Sequence, residues 1–353
     1  MKMNQLFFKK VRVWRVAAIF AGALLLCAVA GAPDFLEQRR QFREEIKNKI
    51  ETELDAQGNY LAVIFKSEAN KYNFKIAAND RARLKSHLKA YFGSRDEALL
   101  AKMLNELNRG RYIIYKEYLP DGVNLKTVFL SPRARYWEWL TDYNGIEKMF
   151  HVYNFSVGLY QPDPDSMAVI LQTEGTFFGI TQAVNLPIVF RRDGKTHQVW
   201  CRMPTQQEMI AQVKKMPAVK PGRDQPEQKF IDACRTHPYF KQVEAGGGFK
   251  VSDEDIRKLY RVVVTNKDQE CPIKDISGGW QIYEDYPYLV VDYSLKTKVN
   301  VEALIPKAMR SLSGAAAPVV QYISDEVSVK YLPLSMKDFR DSTQEWTRTG
   351  APQ

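Results

Sequence analysis

Two short turn sequences, Pro120-Asp121-Gly122 and Arg192-Asp193-Gly194, each stand between runs of aromatic and β-branched residues. Proline and Asp-Gly supply the backbone angles of tight reversals, so each run folds back on its neighbour as an antiparallel pair. Tyr112 to Tyr118 with Val123 to Leu130 form the first pair, and Ile188 to Arg191 with Gln198 to Met203 the second. Met149 to Gly158 and Met167 to Gln172 read as another. Tyr60 to Phe65 reads as a buried strand. Further on, Tyr260 to Thr265, Trp280 to Tyr283, Tyr288 to Tyr293 and Val327 to Leu332 have strand character.

Helical periodicity separates these runs. One helix is expected from Asp80 to Tyr91, ended by Gly93. A second runs to Asn108, with Leu99, Leu100, Met103, Leu104 and Leu107 on one face. Ser94 with Glu97 three residues on reads as its capping box. Helices are also expected over Thr205 to Lys215, Glu227 to Cys234, a short stretch from Ser252, and Val301 to Arg310.

The chain opens with a basic flank (Lys2, Lys9, Lys10, Arg12, Arg15) and then a charge-free run from Val16 to Pro33. Export machinery reads such a segment, with the positive flank held on the cytoplasmic side. Two readings stand. Ala28-Val29-Ala30 before Gly31 has the small-x-small form of a cleavage site, whereas the run also reaches the roughly 17-residue floor for a spanning helix. Lipidation at Cys27 is disfavoured by Leu26, which is not small. Either way the remainder is expected outside the cytoplasm.

From Asp34 to Gln57 charges are dense, and Phe42, Ile46, Ile50 and Leu54 recur every four residues. That spacing predicts an amphipathic helix with a narrow seam, packed on its own domain or standing as a stalk against a partner helix. Prolines, glycine and charge between Met216 and Pro226 mark a linker. The expected organisation is therefore a signal or anchor (1–33), an amphipathic helix (34–57), an aromatic-rich α+β domain (58–215), a linker (216–226), a second α+β domain (227–334) and a flexible polar tail (335–353). In class terms this is α+β, with two mixed domains whose sheets are largely antiparallel.

Charge narrows the partners. The chain carries 51 basic and 41 acidic residues, but five of the basic ones belong to the leader. The excess left over is modest, and nucleic acid, which demands a concentrated basic stripe, is set aside. Lys214, Lys215, Lys220 and Arg223 cluster in the linker; they suit a solvated segment, or contact with an anionic partner such as lipid headgroups or acidic envelope polymers.

Past the leader the cysteines are Cys201, Cys234 and Cys271; either one pair closes a disulfide in an oxidising compartment, Cys234 with Cys271 preferred, or all three are buried and reduced. The histidines, His87, His151, His197 and His237, have no metal-ligand spacing. On one strand His197 and Cys201 stand roughly 13 Å apart, too far for a thiol-imidazole pair. Cys234 and His237 can meet on a helix face, though His237 equally suits the helix C-terminal dipole. Asp163-Pro164-Asp165 reads as a proline turn whose aspartates bond their own backbone. Asp292 sits in the apolar run Leu289 to Tyr293, with Glu284 and Asp285 upstream; it is either a solvent-facing residue or a carboxylate with a raised pKa. Glu174 has the same ambiguity.

No cofactor, metal or nucleotide motif is present in the sequence. The expectation is a non-catalytic binding or scaffold protein of the cell envelope, possessing protein partners and touching the membrane through its N-terminal segment. The competing expectations are an envelope hydrolase or transferase acting on glycans, and an extracytoplasmic ligand-sensing module.

Overall fold

A computed structural model describes residues 41, 44–140, 146–177, 180–205, 207–209, 211, 226–237, 241, 252–254, 256–257, 260, 273–300, 316–325 and 331–349. The architecture is mixed α+β, built on one large antiparallel sheet. Its strands are β1 (Lys49–Glu53), β2 (Tyr60–Phe65), β3 (Tyr112–Leu119), β4 (Gly122–Ser131), β5 (Tyr153–Tyr160), β6 (Ser166–Phe177), β7 (Ile180–Asp193), β8 (Gln198–Arg202), β9 (Ile273–Tyr283) and β10 (Leu289–Val299). They lie in the order β1-β2-β3-β4-β10-β9-β8-β7-β6-β5.

This order corrects the expected division into two sheets. The hairpin β9–β10 inserts between β4 and β8, with Leu295 opposite Leu125 and Gly278 opposite Cys201. It joins the meander β1–β4 to the meander β5–β8. The expected linker at 216–226 lies, but for Pro226, outside the described residues; the strands that flank it in sequence, β8 and β9, are neighbours in the sheet. The expected hairpins at Pro120-Asp121-Gly122 and Arg192-Asp193-Gly194 are both formed.

The helices divide between the two sheet faces. On the outer face, α1 (Ala78–Phe92) and α2 (Glu97–Asn108) cover Ala62, Ile113, Val128, Leu130 and Val290. The five expected apolar residues of α2 are all buried there. Its cap, however, is Asp96, whose side chain accepts from the Ala98 and Leu99 amides, while the Ser94 hydroxyl accepts from the Asp96 amide one turn earlier. Short helices α3 (Trp137–Leu140) and α4 (Ile146–Met149) lead to β5. On the same outer face, α5 (Pro226–Thr236) buries Phe230, Ile231 and Cys234 against Val157, Leu159, Ala168, Ile170 and Val189. The remaining helices are α6 (Ala316–Asp325) and α7 (Leu332–Thr349).

The C-terminal segment is a docked helix rather than the expected flexible tail. α7 lies on the inner face, where Phe339 stacks on Trp280 at 5.0 Å and meets Phe129 edge-on at 5.7 Å. Two polar residues of this segment, Asp338 and Arg340, are buried with partners from other segments.

The helix expected over 34–57 also ends early. Residues 44–47 are helical, Asn48 turns, and β1 then pairs with β2, Ile50 opposite Ile64. A four-residue spacing is a multiple of two, so Ile50 and Leu54 fit a strand's alternation as well as a helix's stripe. Ile46 packs into the inner core and Leu54 into the outer one, so no single seam joins them. Phe42 lies outside the described residues, as do 212–225, 261–272 and 301–315 with the elements expected there. Leu332, expected to end a last strand, instead begins α7. Among the described residues no helix is long and apolar enough to cross a membrane; residues 1–33 are not among them.

Candidate functional site

Asp292 is the sequence-derived candidate that the fold turns into a constellation. Its position on β10 faces α1, and it is 3% exposed. The His87 Nε2 atom of α1 lies 2.9 Å from its Oδ1, and Tyr283 of β9 donates a hydrogen bond to the same carboxyl. Burial pushes the carboxyl above the usual aspartate range, against the lowering effect of these two bonds. His87 meets the Tyr283 ring edge-on at 4.8 Å and stacks parallel to Tyr91. Burial also raises the Tyr283 hydroxyl to about 12.

Beside this cluster runs a row of residues in direct register across five strands. Lys126 faces Ser294, Ser294 faces Gly279, Gly279 faces Trp200, and Trp200 faces Arg191. Directly opposed residues share a face. Here that face is the outer one, since their chain neighbours Leu125, Leu295, Trp280, Val199 and Phe190 all belong to the inner core. The next row holds Asn124, Lys296, Ser277 and Arg202. Between α1 and α5, then, the sheet carries a strip floored by serines and glycine. Trp200 stands on it 42% exposed, with Arg191, Arg202 and Lys296 exposed around it.

Gly279 is required by this geometry. A Cβ there would lie 2.4 Å from the Val199 carbonyl oxygen, so only glycine permits the close approach of β8 and β9. The floor beside the indole is consequently bare backbone. Arg202 is already held by Glu208 of the following helical turn, and Asn124 bonds Glu117. Arg191 and Lys296 have no carboxylate within ion-pair distance among the described residues. Lys126 donates to the Tyr91 carbonyl at 2.8 Å, tying the end of α1 to the strip.

The other histidines each meet a side chain from a distant segment. Three of the four histidines meet carboxylates: besides His87, His151 Nδ1 lies 2.8 Å from Asp338 on α7, and His237 Nε2 lies 3.2 Å from Glu147 on α4. His197 instead bonds the Tyr136 hydroxyl at 2.9 Å, leaving Cys201 alone on β8. Cys201 and Cys234 are free thiols, both pushed up to about 12 by burial, so the expected Cys234–Cys271 bridge is not made. Cys271 itself is outside the described residues. Asp163 and Asp165 are exposed in the β5–β6 turn, where Asp163 Oδ1 accepts from the Asp165 amide. Glu284 and Asp285 lie in the β9–β10 turn, and their carbonyls accept from Arg133 and Arg83. Lys214, Lys215, Lys220 and Arg223 are not among the described residues, and Glu174 is placed only as a β6 position. No three His, Cys, Asp or Glu side chains among the described residues gather as a metal site.

The registered row escaped sequence reading because register across strands leaves no local mark. One signal was present: Gly278-Gly279 inside a strand run announces a close backbone approach.

No family model matches the chain, and no curated protein matches it. Among solved structures it is similar to the Zhui aromatase/cyclase from Streptomyces sp. R1128, at 8% identity and a TM-score of 0.37, over 65% of this chain and 98% of that one. It is also similar to a STAR-related lipid transfer protein from Xanthomonas axonopodis, at 11% identity and a TM-score of 0.35, over 66% of this chain and 93% of that one. Likeness this distant leaves function to be argued from the chain's own residues.

Proposed function

We propose that this chain is a non-catalytic binding protein of the cell envelope that presents the outer strip of its sheet to an envelope component. The observation that carries the reading is Trp200, a large aromatic side chain left exposed in the middle of a sheet face and flanked by Arg191. Tryptophan and arginine are the residues that most often dominate binding energy at interfaces. The leader supports an extracytoplasmic setting, with membrane contact through residues 1–33 where that segment is retained. Protein partners belong to the same reading; nucleic acid does not.

A competing reading, an envelope hydrolase or transferase acting on glycans, has one arrangement in its favour: His87 held by the buried Asp292. That pair brings a single carboxylate to the strip, whereas most glycosidases set two across the scissile bond.

The deciding experiment places a photo-crosslinking amino acid at position 200 of the full-length protein in cells, with a control at exposed Lys195. Adducts formed from position 200 and not from 195 support a binding face. A properly folded variant that yields no adduct above the control overturns it.

A further inference from the structure

We infer that the strip around Trp200 binds an acidic saccharide, an inference that rests on the binding-face reading above. Three features of the strip select this ligand class.

The first is shape. Gly279 directly opposes Trp200 and Ser294 lies one strand further on, and neither raises bulk from the sheet. The indole therefore borders a flat floor on which a pyranose ring can lay its C–H face against the aromatic surface.

The second is hydrogen bonding. Ser294 and Ser277 are half-buried and place hydroxyls on the strip. Such groups suit the hydroxyls of a sugar.

The third is charge. Arg191 on β7 and Lys296 on β10 stand on either side of the floor, three strand steps across and two residues along, and so about 16 Å apart. Neither is neutralised by a carboxylate among the described residues, while Glu117 and Glu208 are engaged by Asn124 and Arg202. Cations at both ends of a short oligosaccharide's span call for carboxylates along it, and guanidinium matches carboxylate in a two-pronged bond.

An acidic peptide fits less well. β8, β9 and β10 are interior strands whose backbone groups are used by their neighbours, so an extended peptide finds no edge to pair with.

Calorimetric titration of the full-length protein tests this with three probes: a uronic-acid oligosaccharide, a neutral oligosaccharide of equal length, and a glutamate-rich peptide. The uronic-acid oligomer should bind most tightly and weaken with salt. Trp200→Ala should weaken it about tenfold or more, and Arg191→Gln with Lys296→Gln by a similar factor, while thermal melting stays unchanged. Equal binding of the neutral oligomer, tighter binding of the peptide, or no effect of Trp200→Ala overturns the saccharide assignment. Crosslinking from position 200 that persists alongside such a result leaves the binding face standing and refutes only the ligand class.

Discussion

Arg340 of α7 donates from both Nη1 and Nη2 to the carbonyl oxygen of Gly110, at 2.9 Å each, with its side chain wholly buried. Its guanidinium also lies 3.7 Å from Glu68 and over the rings of Tyr72 and Tyr112. Glu68 in turn accepts from the Tyr112 hydroxyl. The C-terminal helix is thereby pinned to the turn that opens β3. Gly110 has φ +76°, and a Cβ there would press to 2.6 Å on Tyr72, so the carbonyl is presented by a backbone that only glycine adopts freely.

Arg340→Ala should therefore destabilise the fold by about 3–5 kcal/mol, because it leaves Glu68 buried without its counter-charge. Urea denaturation followed by tryptophan fluorescence reads this directly, since Trp280 stacks on Phe339 beside it. A loss below about 1 kcal/mol, the value of an exposed ion pair, would mean that α7 is not docked as described.

That lock also shows where sequence reading stops. The face of α2 was legible because Leu99, Leu100, Met103, Leu104 and Leu107 repeat at the helical period, and the hairpins because their turn residues are local. α7 looked like a fraying tail because the residues from Ser335 onward are largely polar, Asp338 and Arg340 among them. Their partners lie 187 and 230 residues away, so compensation was invisible along the chain. The insertion of β9–β10 between β4 and β8 is hidden for the same reason. Asp292 was legible as a carboxylate in an apolar strand, but its contact with His87 spans 205 residues. Trp200 gained meaning only from the register that places it beside Gly279.

At the start of α2 a cap at Asp96 replaces the expected capping box at Ser94. Asp96 satisfies the Ala98 and Leu99 amides, and Ser94 does not reach them. Asp96→Ala should cost about 1 kcal/mol, within the usual 0.5–2 for a lost cap. Ser94→Ala should stay within about 0.5 kcal/mol. Paired thermal or urea unfolding of the two variants distinguishes them, and a larger loss at Ser94 would restore the capping box.

Glu147 predicts a signed pH dependence. Burial would raise its pKa, but hydrogen bonds with His237 and Ser156 outweigh burial and hold it below the ordinary glutamate value of 4.5. A carboxyl depressed on folding contributes stability above its unfolded value and loses that contribution as pH falls through its folded one. The wild type should thus lose stability below about pH 4.5 more steeply than Glu147→Gln. Unfolding free energies of both proteins across pH 7 to 3 provide the check; parallel curves would show that the contact carries no linkage.

The two described thiols should be inert in the native protein. Reactivity belongs to the thiolate, and burial pushes both Cys201 and Cys234 up to about 12, leaving almost none at neutral pH. Cys201 sits on β8 against the inner core, one residue from the exposed Trp200, so alternation alone takes it from solvent to interior. Cys234 lies on the buried face of α5, in the cluster with Val157, Leu159 and Ile170. Alkylation with iodoacetamide followed by peptide mapping should label neither site in folded protein and both in denaturant. Rapid native labelling of Cys201 would mean that β8 is turned over relative to β7 and β9. Trp200 would then face the core, and the binding strip would not exist.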